Sequence, residues 1–433
     1  MISVGFGTAV LIGTLLLGLP LATTEGDSSH WLTALFTATS AVCVTGLIVV
    51  DTETHWSVFG EVVIVFLIQV GGLGIMTLAT LIIVMISGRI GLRARLSAQL
   101  ETKSVVAADL RRVLRKVVMF SIVCEAAVAV VLTVRFVTGY GEPLGRAAYL
   151  GLFHSVSAFN NAGFALWPDS LMRFVADPWI CLPVALAVVV GGLGYPVVFE
   201  LLRTWRHPGR WSILTRVTVG LSVVLLGGGT LTFLAIEWHN PATMGPLDDS
   251  GKLLAAFFAA VMPRSGGFNS IDIGQMNPSS WLLTDVLMFI GGGSAGTAGG
   301  IKVTTFGFLV FAIWSELRGE HQVNIGHRRL PSTTQRQALS ISLIGAILVT
   351  FSTWLMLMIS PHSLDQVLFE VISAFSTNGL STGITADTTL AGHVLLSVLM
   401  FIGRIGPLTL GSALALKQRT RRYELPEEKV IVG

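Results

Sequence analysis

Apolar residues in this chain gather in long runs rather than alternating with polar ones. Eight runs stand out: Ile2 to Ala22, Ser57 to Ser87, Leu114 to Thr138, Asp177 to Leu202, Ile213 to Ile236, Leu282 to Trp314, Ala338 to Ile359 and Leu395 to Leu416. Each reaches the roughly 20 residues that a helix needs to cross about 30 Å of hydrocarbon. The pattern predicts an all-α integral membrane protein with eight transmembrane helices.

Between the members of each successive pair lies a shorter stretch: ALFTATSAVCVTGL (Ala34 to Leu47), GLFHSVSAFNNAGF (Gly151 to Phe164), FFAAVMPRSGGF (Phe257 to Phe268) and VLFEVISAFSTNGL (Val367 to Leu380). In each, a phenylalanine precedes a glycine by ten residues, pairing Phe36 with Gly46, Phe153 with Gly163, Phe257 with Gly267 and Phe369 with Gly379. These stretches are too short for a crossing and are expected to be re-entrant half-helices. A unit of span, half-helix, loop and span therefore occurs four times, which a pseudo-four-fold ion pore requires. The units are expected at 1–88, at 89–211 with a basic loop in front, at 212–330 and at 331–418, with a tail at 419–433.

A second landmark recurs about 24 to 28 residues after each glycine: QVGGLG (Gln69 to Gly74), VVGGLG (Val189 to Gly194), FIGGGSAG (Phe289 to Gly296) and FIGRIG (Phe401 to Gly406). Small residues at helix contacts explain part of it. Its recurrence in step with the first landmark supports the four-unit alignment.

Composition agrees with the pattern: 52% of residues are hydrophobic, 12% are charged and the mean hydropathy is +0.74. The net charge of +3 points to no nucleic-acid partner, because the basic residues are sorted by loop. Arg89 to Lys116 holds eight, Arg203 to Arg216 four, Arg318 to Arg336 four and the tail from Lys417 five, 21 of the chain's 28. Basic loops stay cytoplasmic, so both termini are expected there. The opposite loops carry Glu25, Asp27, Asp51, Glu53, Glu142, Asp169, Asp248, Asp249 and Asp387, which would concentrate cations at that mouth. Cys43, Cys124 and Cys181 lie in or beside apolar runs without metal-ligand spacing, and read as small core residues.

Potassium leaves water only where carbonyl oxygens replace its hydration shell. Aiming carbonyls at an axis needs backbone conformations that a Cβ obstructs, hence one glycine per loop. The expected filter lining is Val44, Thr45 and Gly46; Asn161, Ala162 and Gly163; Ser265, Gly266 and Gly267; Thr377, Asn378 and Gly379.

The third unit's second span contains GGGSAGTAGGIKV (Gly291 to Val303). Each glycine costs a helix about 1 kcal/mol relative to alanine, so the helix is expected to break. Broken backbone at membrane depth must line protein or a water-filled cavity, which would place Gly291, Gly292, Gly293, Ser294, Ala295, Gly296, Thr297, Ala298, Gly299 and Gly300 under the filter as a mobile gate. A phosphate loop is excluded, because Lys302 follows Ile301 and lies inside a span. Arg404 stands where the first two units have Gly72 and Gly192. A charge there costs about 2.5 to 3.5 kcal/mol, so it should bond the glycine-rich loop, hold it shut and add an electrostatic barrier. Arg264 and Lys302 are expected to brace the filter and the inner end of the gate.

No H-E-x-x-H, G-x-S-x-G or facing aspartate pair is present, and His154 and His393 are isolated, so an enzyme is not expected. An ion-coupled symporter with alternating access is the alternative, with Glu125 or Glu200 as a proton site. Four units in the same orientation favour the channel over the inverted repeats of such carriers.

The four glycine segments, GGGSAGTAGGIKV, FIGRIGPLTL (Phe401 to Leu410) and the tail YELPEEKVIVG (Tyr423 to Gly433) resemble the superfamily of potassium transporters that includes the bacterial Ktr and Trk membrane subunits. The resemblance spans the whole chain and is nearest to the Ktr type, since no additional helices precede the first run. It implies one pore per subunit with Gly46, Gly163, Gly267 and Gly379 as permeation determinants. Serine at the first of these tends to admit sodium, so Gly46 implies potassium selectivity. The intramembrane loop of the family falls on Gly291 to Gly300 and its inner arginine on Arg404. Met262 and Pro263 stand where small polar residues are more usual. The resemblance further implies a homodimer in the bacterial plasma membrane, in contact with lipid and seated on a cytosolic ring of nucleotide-binding regulatory subunits that respond to ATP and ADP. Potassium is then cargo, sodium an activator, and no cofactor is held. The apolar Val430 to Val432 are expected to dock on the neighbouring protomer.

Overall fold

The structure, a computed structural model, describes residues 2–87, 102–320, 322–325 and 328–416. The basic stretch 89–101 and the tail 417–433, with its expected dimer contact, lie outside the described residues.

Helices dominate, and long ones flank a shorter one in four successive groups. Helices α1 (Ile2–Leu17) and α4 (Val58–Ser87) flank the short α2 (Trp31–Val42), with a single turn, α3 (Thr52–His55), between. Helix α5 (Thr102–Tyr140) and the pair α7 (Pro178–Leu193) and α8 (Tyr195–Thr204) flank α6 (Leu144–Phe159). Helix α9 (Ile213–Glu237) and the pair α11 (Pro278–Phe289) and α12 (Val303–Leu317) flank α10 (Asp249–Val261). Helices α13 (Ser332–Ile359) and α15 (Leu390–Leu416) flank α14 (Leu364–Ser376). A two-residue ladder of β1 (Asn324–Ile325) and β2 (Arg328–Arg329) joins the last two groups. Among the described residues, three helical segments are long and apolar enough to cross a membrane, Leu114–Tyr140, Ile213–Glu237 and Ser332–Ile359, and the bent pair α7 and α8 adds a fourth.

Local chemistry sets the starts of the short helices. Asp248 accepts from the Gly251 N–H at 3.0 Å to cap α10, and Ser363 with Gln366 forms a reciprocal capping box on α14. The Ser250 hydroxyl and the Gly251 N–H hold the Asp248 carboxyl below its usual range. Pro178 opens α7, where a missing N–H costs nothing, while Asp177 accepts from Trp179 N, Arg135 Nε and Tyr140 OH.

The four groups close on themselves. Each short helix packs against the first helix of its own group, and the last long helix of each group reaches the next group's short helix: α4 to α6, α7 to α10, α11 to α14, and α15 back to α2. The recurring small residues make this approach possible. A Cβ at Gly71, Gly191 or Gly403 would strike the carbonyl oxygen of Val42, Phe159 or Phe375, each lying four residues before its loop glycine. The small-residue landmark is therefore the seat on which a long helix rides over the end of a short one.

One span departs from expectation. Asp177 to Leu202 is read from sequence as continuous, yet the chain bends by 102° between α7 and α8. Gly194 adopts φ +90°, a conformation costly for other residues, and Pro196 follows at the start of α8. The freed α7 carbonyls find donors in the glycine-rich segment: Gly192 O accepts from Gly293 N at 2.7 Å, and Gly191 O from Thr297 N at 3.1 Å. The expected break between α11 and α12 is present, from Ile290 to Lys302.

A candidate ion pathway

The short helices end in loops that share one backbone pattern. Two residues before each glycine a non-glycine residue has positive φ: Val44 at 54°, Asn161 at 61°, Ser265 at 74° and Thr377 at 47°. The glycines follow with φ of 92° at Gly46, 72° at Gly163, 75° at Gly267 and 99° at Gly379. Left-handed conformation at alternate residues turns successive carbonyls to one side, the arrangement a cation-coordinating backbone needs. Val44 and Thr377 are β-branched, which makes their φ values expensive and requires support from the surroundings.

The loops meet in a ring. A Cβ at Gly46 would strike Ala162 O, at Gly163 the Gly267 backbone, at Gly267 Asn378 O, and at Gly379 Thr45 O, so each loop abuts the next and the fourth returns to the first. No side chain fits at any of the four glycines. The short helices aim their carbonyl ends at this ring, and that end carries the negative pole of the helix dipole. Above the ring opens a cavity of about 350 Å³ lined by the four glycines, Asp169, Asp272 and Thr385 among others. Its charge is partly offset, since Asp169 pairs with Arg173 at 2.6 Å. Of the other expected acids, Glu53 and Glu142 lie near Arg146, and Glu25, Asp27 and Asp51 line a separate pocket.

Buried hydroxyls support the loops, and sequence reasoning passed over them. Ser40 Oγ accepts from Gly46 N at 3.0 Å, Ser373 Oγ accepts from Gly379 N at 3.1 Å, and Ser157 Oγ donates to Phe164 O at 2.8 Å. The signal was present: Ser-Ala followed by an apolar residue stands six positions before the glycine in three of four loops. The third has Val261 there, and its stiffness comes from another quarter, because Asn378 Nδ2 donates to Met262 O at 2.9 Å. Glu370, fully buried in α14, holds the segment beyond the fourth loop by accepting from Ser381 Oγ, Thr382 N and Thr385 Oγ1. Ser373→Ala, which strands the Gly379 N–H, is expected to cost about 1–3 kcal/mol. A lowered melting temperature in detergent is the readout, and an unchanged one would mean that the bond contributes nothing.

The segment 290–302 lies on the other side of the ring. Its neck is closed by bonds from Gly291 N to Ile301 O and from Val303 N to Gly292 O, both 2.9 Å. Between Gly291 and Gly300 every residue except Ser294 is buried, and Ser294 bonds the Thr304 hydroxyl at 2.8 Å. The tip reaches the loops: Thr297 Oγ1 donates to Asn161 Oδ1 at 2.6 Å, and Gly299 N to Ser265 Oγ at 3.1 Å. Arg404 Nη1 donates to Thr297 O, which lies in the glycine-rich loop expected to hold it, and Lys302 Nζ donates to Ala298 O. Arg264 Nη1 and Nη2 lie 3.4 Å from Ser222 O and Gly291 O, so its bonds brace the neck and not, as expected from sequence, the third loop.

The two candidate proton sites have structural partners. Glu200 accepts from Ser212 N and Oγ at 2.6 Å and Thr215 Oγ1 at 2.5 Å at the start of α9. Glu125 accepts from Gln69 Nε2 and Asn160 Nδ2 at 3.1 Å. His154 accepts from Leu166 N and stacks on Trp167. The cysteines are free, and among the described residues no group of side chains has the makings of a metal site.

Four loops that abut one another among apolar helices, below a cavity lined by acids, make a candidate cation path. Residues 9–420 match the family model described as TrkH, cation transport protein. The chain belongs to the TrkH family. Members of this family are membrane ion transporters and not enzymes. This TrkH-family chain is 40% identical over its full length to the Ktr system potassium uptake protein B of Bacillus subtilis (strain 168), covering 96% of that protein, and 40% identical to its namesake in Vibrio alginolyticus, covering 94%. It is 32% identical to the potassium/sodium uptake protein NtpJ of Enterococcus hirae, again over its full length and 96% of the relative. Its fold matches the crystal structure of the potassium transporter TrkH from Vibrio parahaemolyticus with a TM-score of 0.73 and 18% identity, covering 96% of this chain and 85% of that one.

Proposed function

We propose that this chain is the pore subunit of a potassium uptake system in the bacterial cell membrane. Eight spans and four half-helices surround one pathway, and backbone carbonyls of the four loops replace the hydration shell of potassium. The observation that carries this reading is the ring of four positive-φ glycines, each abutting the next loop. The segment Gly291 to Gly300, with Lys302 and Arg404, acts as the gate: it fills the space beneath the ring, and conduction requires it to move. Membrane potential drives entry, worth about 2.3 kcal/mol per charge at 100 mV.

Exposed Arg203, Arg206, Arg210, Arg328 and Arg329 at the basic end give a cytosolic, nucleotide-binding regulatory ring of acidic surface a place to dock, and two protomers share it. Sodium is an activator or companion ion, a role in keeping with the enterococcal relative's name. Proteoliposomes containing this chain alone should pass potassium in preference to sodium down a gradient, with no proton gradient imposed. Deleting Gly296 to Gly299 should raise the resting flux. Flux that appears only with a proton gradient would replace the channel with an ion-coupled symporter, and unchanged flux after the deletion would remove the gate.

A further inference from the structure

The filter and the intramembrane loop share their hydrogen bonds. Ser265 Oγ accepts from Gly299 N at 3.1 Å and donates to Thr377 O at 2.9 Å, so one hydroxyl joins the third filter loop, the fourth filter loop and the gate. Thr297 Oγ1 donates to Asn161 Oδ1 at 2.6 Å, and Asn161 Nδ2 in turn donates to Val188 O at 3.2 Å. The filter residues touched, Asn161, Ser265 and Thr377, are three of the four non-glycine residues held at positive φ in these loops. Gly299 also lies so close beneath Thr377 that a Cβ on it would strike the Thr377 hydroxyl. The fourth such residue, Val44, has no polar side chain with which to make a comparable bond.

Strained backbone persists only where its surroundings over-determine it. Here part of those surroundings is the segment that must move. We propose that Ser265 and Thr297 form a latch that makes ion selectivity depend on the position of the gate: a displacement that opens the path while latch bonds persist conducts with the filter locked, and full departure of the loop lowers its discrimination. Ser265 is then a positioning residue for specificity, acting through Thr377 O and not by touching the ion with its own hydroxyl. The coupling is reciprocal by thermodynamic necessity, so an ion that fits the locked filter also favours the seated loop. The inference rests on the channel reading above and goes beyond it, because a gate and a filter that act independently would serve conduction equally well.

The latch is asymmetric, and that asymmetry makes it testable. Ser265→Ala removes the bond to Gly299 N and the bond to Thr377 O while leaving the backbone and every glycine in place. Ser265→Thr keeps the hydroxyl, and the ring already accepts β-branched residues at the equivalent positions Val44 and Thr377. Thr297→Val removes the other bond from the loop side without altering any filter residue.

The experiment measures the potassium-to-sodium permeability ratio, from reversal potentials in proteoliposomes, together with resting potassium flux. In Ser265→Ala the ratio should fall and the flux rise together, each by roughly two- to tenfold, the effect of losing one neutral hydrogen bond. Thr297→Val should move both in the same direction, and Ser265→Thr should return both toward wild type. A higher flux with an unchanged ratio in both Ser265→Ala and Thr297→Val would overturn the coupling while leaving the gate intact. No change in either quantity would overturn the latch altogether. Should Ser265→Ala fail to fold, Thr297→Val alone decides, since its filter is unaltered. Selective flux in the wild type guards the channel reading; without it, that reading falls and this inference falls with it.

Discussion

Gly46→Ser is expected to lower the preference for potassium over sodium by roughly five- to 150-fold, the equivalent of about 1–3 kcal/mol of backbone strain. The glycine sits at φ +92°, and a side chain on it would drive into the Ala162 carbonyl oxygen of the adjoining loop. That oxygen belongs to the expected lining, so on the proposed reading the clash falls on a carbonyl of the filter and not on bulk protein. Relief requires either a shift of the Gly46 backbone or displacement of Ala162 O, and both spoil the oxygen spacing suited to potassium. The measurement is the reversal potential in proteoliposomes under bi-ionic conditions, with Gly46→Ala alongside to separate the steric effect of a Cβ from the added hydroxyl. A ratio unchanged in both variants would mean that the four glycines do not line the path.

The short helices and their glycines are legible in sequence because they obey two rules at once: too few apolar residues to cross, and a glycine where a Cβ has no room. The neck of the intramembrane loop is legible for a similar reason, since six glycines in the ten residues Gly291 to Gly300 cannot sustain a helix. The bend at Gly194 is not legible. VVGGLG reads like QVGGLG of the first unit, which stays helical, and the difference lies in distant partners, namely the N–H groups of Gly293 and Thr297 that receive the freed α7 carbonyls. The positive φ of Val44, Asn161, Ser265 and Thr377 is equally hidden, because no local preference puts Val or Thr in that region. At Asn161, Ser265 and Thr377 it is accompanied by tertiary bonds that only the assembled chain supplies. Arg404 falls between these cases: the expense of a buried charge predicts a carbonyl partner, and its place opposite the loop follows from the repeat alignment, while the identity of Thr297 O emerges only when the helices are assembled.

Arg404→Ala is expected to raise resting potassium flux by roughly ten- to 150-fold, from the loss of a charge-assisted hydrogen bond worth about 1.5–3 kcal/mol. Arg404 is buried on α15, and its Nη1 donates to Thr297 O, the backbone of the residue whose side chain reaches the filter. Among the described residues its Nε and Nη2 have no hydrogen-bond partner. A guanidinium with one bond at membrane depth is a costly way to hold a protein together, so removing it should leave the melting temperature nearly unchanged or raise it. The two readouts therefore separate two roles. A gate anchor predicts more flux at constant stability, whereas an anchor of the fold predicts a lower melting temperature whatever the flux does. The positive charge beside the path also repels an incoming cation, which adds to the expected rise. Arg404→Lys tests the division: lysine keeps the charge but not the reach of the planar fork, so it should retain the repulsion, lose most of the hold on Thr297 and give an intermediate flux. Flux in Arg404→Ala indistinguishable from wild type would show that neither the bond nor the charge limits conduction.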